Sequence, residues 1–272
     1  MENGDTASIK LLSDALENHG FFSIINHGLS NDLIKNCYNS SKEFFDLDFK
    51  TKEIYSSVGS KGARGYTPKG IETAVGEIIP DQKEFWHHGP VIDNTYDKKI
   101  PENIDIKEIP EFNKNFDDLY SELHQIGSRV LSVISLSLGL KQDYFNQWVE
   151  KGNSLLRSIH YPKVEMKDNP HRARAHEDIN LITLLIGAEE GGLEVLSKDG
   201  SWIKVAPSSK AIVCNIGDMM QLVTDKKLKS TTHRVIQDEH AESKSRYSIP
   251  FFLHPAPSVL LKSIFRDDDK GI

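Results

Sequence analysis

Apolar positions follow two regimes along the chain, a helical period through the first half and short runs broken by turns in the second. Between Asp5 and His19 the residues Ile9, Leu11, Leu12, Ala15 and Leu16 form a stripe, with Asp5 a candidate cap and Gly20 a stop, which predicts a first helix. A buried strand over 21–25 follows, and Ser30 then caps a second helix to about Phe45 with Leu33, Ile34, Cys37 and Phe44 on its inner side. Residues 61–70, rich in glycine and carrying one proline, predict a loop. The run Glu84-Phe-Trp-His-His predicts a short strand with Glu84, Trp86 and His88 on one face and Phe85 and His87 on the other, one of which should line a pocket. Phe112, Phe116, Leu119, Leu123, Ile126, Val130, Leu131 and Ile134 recur at helical spacing and predict a long core helix over 110–140, with one more helical segment over 143–149.

From Leu155 onward the pattern predicts eight short strands, over 155–161, 176–186, 193–197, 202–205, 211–215, 219–223, 231–236 and 245–253. Turns at Glu190-Gly-Gly192, Lys198-Asp-Gly200 and Asn215-Ile-Gly217 supply the residues that tight connections need, so Asn215 reads first as a turn former. A length of 272 residues with 38% apolar content suits one domain with a substantial core. The net charge of −7 argues against a nucleic-acid surface, which needs clustered Lys and Arg. Apolar runs such as 181–188 are too short to span a bilayer, and no signal peptide is evident. The expectation is a cytoplasmic monomer in which Cys37 and Cys214 stay as free thiols.

The chemistry concentrates in Arg-Ala-His176-Glu-Asp178-Ile-Asn. In extended backbone successive side chains alternate faces, so His176 and Asp178 point one way and Glu177 the other. His233, in the β-branched run Ser-Thr-Thr-His-Arg-Val-Ile, is the candidate third ligand. A His-x-Asp triplet alone is commonplace, but two imidazoles and one carboxylate on one face, with other positions open, form the ligand set of a non-haem Fe(II) oxygenase. Further on, Arg246 and Ser248 share a face of an apolar strand. A guanidinium there is costly unless it meets an anion, and its planar fork suits a carboxylate held by two bonds.

Six segments in order carry a resemblance: Arg157-Ser-Ile-His-Tyr-Pro, His176-Glu-Asp, Glu190-Gly-Gly-Leu-Glu-Val-Leu, Asn215-Ile-Gly-Asp, Ser230-Thr-Thr-His-Arg-Val and Ser245-Arg-Tyr-Ser. With weaker matches upstream at Gly20-Phe-Phe-Ser-Ile-Ile-Asn-His-Gly28, Arg64-Gly-Tyr-Thr-Pro and Asp81-Gln-Lys-Glu-Phe-Trp, the chain resembles the iron(II)/2-oxoglutarate-dependent dioxygenases, in the branch that includes isopenicillin N synthase. The resemblance implies a mainly β core of double-stranded β-helix (jelly roll) type with supporting N-terminal and central helices, for which eight strands are the right number. It divides one oxygenase domain, 1–272, into helical support and substrate loops over 1–153 and a catalytic core over 154–262. It further implies Fe(II) on His176, Asp178 and His233, with 2-oxoglutarate as cosubstrate beside O2. The distal carboxylate of 2-oxoglutarate would lie on Arg246 and Ser248, with Tyr161 nearby.

The implied reaction oxidises a small molecule by hydroxylation, desaturation or cyclisation, releasing succinate and carbon dioxide. Arg64, Tyr66, Trp86 and Phe252 combine a cation with aromatics and are the substrate candidates, compatible with an amino acid, a small peptide or another carboxylated metabolite. Members often carry an asparagine where this chain has Ile159, which alters the hydrogen bonding around the cosubstrate. Two alternatives share the motifs: an oxidase like isopenicillin N synthase that needs no keto acid, and a jelly-roll binding module without turnover. The chain also opens almost at its first helix cap and stops soon after Val259-Leu-Leu-Lys262, which predicts either a pared-down fold or a fragment.

Overall fold

The computed structural model describes residues 6–56, 62–73, 80–163, 171–186, 191–206, 208, 210–236, 245–266 and 271. Helix α1 (Thr6–Asn18) buries Leu12 and Leu16, while Leu11, expected on the inner stripe, is exposed. Gly20, at a positive φ, ends it: a Cβ there would sit 2.4 Å from the Lys229 carbonyl oxygen. Strand β1 (Phe21–Ile25) leads to α2 (Asn31–Asp46), whose first turn is capped by the Ser30 hydroxyl accepting from the Leu33 amide. A short α3 (Phe49–Ile54), capped by Asp48, had no stripe to announce it. Within the expected loop over 61–70, Gly65–Thr67 forms β2 and pairs with β3 (Glu84–His88). The long helix α4 (Phe112–Ser137) and the short α5 (Asn146–Val149) precede the β region.

Strands β4 (Leu155–Tyr161), β5 (His171–His176), β6 (Ile182–Ile186), β7 (Leu193–Leu196), β8 (Trp202–Lys204), β9 (Ala211–Ile216), β10 (His233–Ile236) and β11 (Arg246–Leu253) complete the fold. Two predictions fail here. The strand expected over 176–186 is the end of β5, a bend, and then β6. The stretch expected as a strand over 219–223 lies in helix α6 (Asp218–Val223), with Met220 and Val223 buried at helical spacing.

The strands make a seven-stranded sheet, β1-β9-β6-β11-β4-β3-β2, and a four-stranded sheet, β5-β10-β7-β8, with every strand pair antiparallel. The larger sheet has two different faces. Its outer face packs on α2 and α4 through Phe44, Trp86, Phe112, Phe116 and Leu123 in the main core. Its inner face meets the smaller sheet through Phe85, Ile159, Val213, Ala173, Leu193 and Val235. Among the described residues no helix is long and apolar enough to cross a membrane, and Cys37 and Cys214 are free and buried.

Candidate metal centre

Strand pairing builds the site. His176 ends β5 and His233 begins β10, and the two are direct register partners, which sets their rings 4.4 Å apart. Asp178 lies two residues past the end of β5. Its position is held by main-chain bonds: its carbonyl accepts from the amides of Asn180 (3.2 Å) and Asp218 (2.8 Å). Gly217 permits that approach, because a Cβ there would lie 2.0 Å from Asn180 Oδ1. Glu177 turns away, its Oε1 accepting from the Thr232 hydroxyl at 2.9 Å.

Asp178 Oδ1 stands 3.8 Å from His176 Nε2 and 3.7 Å from His233 Nε2, and one ligand atom from each of the three residues lies within 4.8 Å of the others. Ligand bonds of about 2.0–2.2 Å place adjacent ligand atoms about 3 Å apart, so a small inward movement suffices to hold a metal ion. The imidazoles are also oriented for it. His176 Nδ1 lies 2.7 Å from the Arg174 carbonyl and His233 Nδ1 3.1 Å from that of Thr231, contacts that only a protonated Nδ1 can make. In the neutral ring each Nε2 then carries a lone pair toward Asp178. Burial, and then the adjacent His233, push the His176 pKa below its ordinary value.

The aspartate is held from behind. Its Oδ2 accepts from Thr183 Oγ1 at 2.6 Å and Asn215 Nδ2 at 2.8 Å, leaving Oδ1 for a cation. Thr183 and Asn215 are register partners in the β6–β9 ladder, which is why both reach one carboxylate. Burial pushes Asp178 up, yet His233, His176 and these two bonds outweigh it and leave its pKa below the usual carboxylate range. Sequence reading missed both supports. Asn215 lies inside β9, and its side chain serves Asp178 rather than the turn.

Arg246 opens β11 opposite Tyr161 and is only 2% exposed. Its buried Nε and Nη1 have no hydrogen-bond partner among the described residues, and the Tyr161 ring centroid lies 5.3 Å from its Cζ. A buried guanidinium without a partner is costly, and its planar fork suits an anion. Ser248, buried two residues on, shares its face. Arg246, Ser248, Tyr161 and Phe252 line one cavity with His176, Asp178 and His233.

The other three substrate candidates do not reach this cavity. Trp86 is fully buried in the helix-facing core against Phe44 and Phe112. Tyr66 hydrogen-bonds to Glu84 on that same side. Arg64 is 1% exposed; its Nη2 donates to Asn153 Oδ1 at 2.7 Å, and its guanidinium packs where a Gly89 Cβ would stand. Strand β3 explains the outcome, since it turns Trp86 to the helices and Phe85 and His87 inward. Lys83 and Arg157 line the cavity beside Arg246; both stand in segments that carry the resemblance, but neither segment by itself shows that these side chains reach the metal-binding groups. A roomier groove of about 300 Å³ lies on the far side of Phe21, lined by Val195, Ile203 and Val205 and lacking the three metal-binding groups.

Comparison with known proteins agrees with this geometry. A family model described as the 2OG-Fe(II) oxygenase superfamily matches residues 152–255, and one described as the N-terminal region of non-haem dioxygenases in morphine synthesis matches residues 2–111. A 2-oxoglutarate-dependent dioxygenase of Didymella fabae is 32% identical over 250 residues, covering 86% of this chain and 75% of the relative. A crystal structure of a 2OG-Fe(II) oxygenase family protein from Caulobacter crescentus superposes with a TM-score of 0.88 at 41% identity, covering 97% of this chain and 87% of that one. A Neurospora crassa protein crystallised in complex with alpha-KG and thymine gives 0.83 at 26% identity, covering 97% and 85%. The chain belongs to the 2OG-Fe(II) oxygenase superfamily, and its paired sheets are a double-stranded β-helix. It is an Fe(II)- and 2-oxoglutarate-dependent dioxygenase of a small molecule, with O2 as co-substrate; the relatives favour neither the keto-acid-free oxidase nor the binding module.

Proposed function

We propose that His176, Asp178 and His233 hold the Fe(II), and that Arg246 with Ser248 binds the distal carboxylate of 2-oxoglutarate beside Tyr161. The observation that carries this reading is the buried, unpaired Arg246 in the cavity that also holds the three metal-binding side chains. When bound, iron and keto acid supply the oxidising chemistry, with succinate and carbon dioxide as the products of the keto acid. The chain does the rest. The two Nε2 atoms and Asp178 Oδ1 offer one negative charge on one side of the ion, and the carbonyls behind each Nδ1 keep both rings in place. Arg246 fixes the far end of the keto acid through its fork, and Ile159, Leu193, Val213 and Val235 keep the walls apolar so that water is excluded.

The whole chain acts as one oxygenase unit, with 154–262 as its catalytic core and 1–153 as support. The substrate reading that fits is an amino acid, a small peptide or another carboxylated metabolite, met by Phe252 in the cavity. A monomer in the cytoplasm fits the buried free thiols. The test of the metal assignment is anaerobic Fe(II) titration of Asp178→Ala and Glu177→Ala. Asp178→Ala loses Fe(II) binding and turnover, because it removes the only anionic ligand, whereas Glu177→Ala keeps both. Equal affinity in the two variants contradicts the assignment.

A further inference from the structure

Phe21 borders two spaces. It lines the cavity that holds His176, Asp178 and His233, and it lines the groove of about 300 Å³ on its other side; no other described residue lines both. Its place follows from the strand ladder. Phe21 pairs with Asn215 on β9, and Asn215 with Thr183 on β6, so the three side chains point inward in one row across the larger sheet. Asn215 and Thr183 hold Asp178, and Phe21, at the end of the row, meets an imidazole instead. Its ring stands edge-on to that of His233, with centroids 5.6 Å apart and planes at 71°.

The groove is the seam between the two sheets at their β1 and β8 edges. Val195 is the register partner of His233 and Ile203 that of Val195, and Val205 follows Ile203 by two residues, so all three share the inward side of the smaller sheet. With Phe21 they give the groove an apolar wall. Side-chain bonds frame it: the end of α1 is tied to the β7–β8 turn by Lys198 Nζ donating to Asn18 Oδ1 at 3.0 Å, and to the segment before β10 by the Thr231 hydroxyl donating to the His19 carbonyl at 2.8 Å.

The two imidazoles are covered differently. The His176 side chain is 36% exposed, whereas that of His233, behind Phe21, is 10% exposed. A substrate has room to approach from the His176 side. From the groove, only a molecule small enough to pass one aromatic ring reaches the metal-binding groups, and an apolar wall favours an apolar one. The reaction consumes such a molecule in O2. We infer that the groove is the entrance for dioxygen and that Phe21 is its gate, so that O2 reaches the metal from the His233 side while the substrate lies on the His176 side. This rests on the assignment of His176, Asp178 and His233 to the iron. Phe21 suits a gate because it is half-buried on an edge strand, and side chains so placed change rotamer far faster than enzymes turn over.

The experiment uses two gases. Crystals of the metal-free protein are pressurised with xenon, which enters dry apolar spaces. Nitric oxide, a diatomic stand-in for O2 that binds Fe(II) without turnover, is mixed with the anaerobic Fe(II) protein saturated with 2-oxoglutarate, at concentrations where the rate stays proportional to the gas. Xenon should lie against Phe21, Val195 and Ile203 in the wild type and be absent from Ile203→Trp, whose indole fills the groove. Ile203 is 48% exposed and does not line the metal cavity, so this variant leaves the metal-binding groups in place. The nitric oxide rate should fall about tenfold in Phe21→Trp and at least about threefold in Ile203→Trp, within the range over which association rates vary among variants of one site, with Fe(II) affinity at the wild-type value. The inference is overturned if the wild-type groove takes no xenon, if either variant reacts with nitric oxide at the wild-type rate, or if the slower rate in Ile203→Trp comes with weaker Fe(II) binding. Should one tryptophan variant show no cooperative melting, the other decides. Fe(II) titration of the wild type separates the two readings: a protein that binds no Fe(II) fails the metal assignment and this inference with it, whereas normal Fe(II) binding with no xenon or an unchanged rate fails only the groove.

Discussion

Two buried charged groups, Glu84 and Arg246, one on each face of the larger sheet, are treated in opposite ways. On the helix-facing side Glu84 is surrounded: Lys52 Nζ lies 3.0 Å from Oε2, His160 Nδ1 lies 2.7 Å from Oε1, and the Tyr66 hydroxyl donates to Oε2. On the inner side Arg246, equally buried, meets no acid among the described residues. Both placements cost desolvation, and among the described residues only the first recovers it. The contrast separates scaffold from site better than residue type does, since a histidine, a lysine and a tyrosine that would look catalytic in a list are here satisfied structural groups.

The largest test of that contrast is on the helix-facing side. Trp86→Ala empties the centre of the aromatic core and is expected to lower stability by about 3–5 kcal/mol. Fe(II) affinity of the folded fraction should stay at the wild-type value; denaturant unfolding and metal titration together check this, and a large loss of affinity would mean that Trp86 belongs to the site after all. On the inner side the pattern reverses. Ser248→Ala should weaken 2-oxoglutarate by about 1.5–3 kcal/mol, one hydrogen bond to a charged group, with an unchanged melting temperature. Thr183→Val or Asn215→Leu frees Asp178 Oδ2 from one of its two partners and should reduce Fe(II) affinity about 10- to 100-fold. Calorimetric titration reads that effect, and wild-type affinity in both variants would show that Asp178 needs no support.

The legible parts of the sequence were those where a local pattern is enough. Ser30 ahead of α2 and the helical stripe of α4 were readable because capping and helical period act within a few residues. His176, Asp178 and His233 were readable because their residue types are rare in company, whereas the close approach of Gly217 that helps hold Asp178 shows only in the fold. The six residues of α6 were not readable, because a run that short fits either period. Strand β5, His-Arg-Ala-Arg-Ala-His, hides behind polar residues whose strand state comes from pairing with β10. Thr183 and Asn215 lie 32 residues apart in sequence, and only the β6–β9 register reveals that they share a target. Arg64 looked like a pocket cation because loops often hold substrate, but its loop folds inward and seals the guanidinium against Gly89.

In the reading proposed above, Arg246 binds the distal carboxylate of 2-oxoglutarate while the three-residue set holds the metal. Titrating 2-oxoglutarate into the anaerobic Fe(II) protein and following the charge-transfer absorption of the chelated keto acid tests it most directly. Removing the guanidinium strands a buried carboxylate, at a cost of about 3–5 kcal/mol, roughly a hundredfold to several-thousandfold in affinity. Arg246→Ala should show that loss and Arg246→Lys recover only part of it, because a point charge lacks the planar fork, with Fe(II) binding unchanged in both. A band in Arg246→Ala that saturates at the wild-type concentration of 2-oxoglutarate would contradict the account and place the distal carboxylate elsewhere.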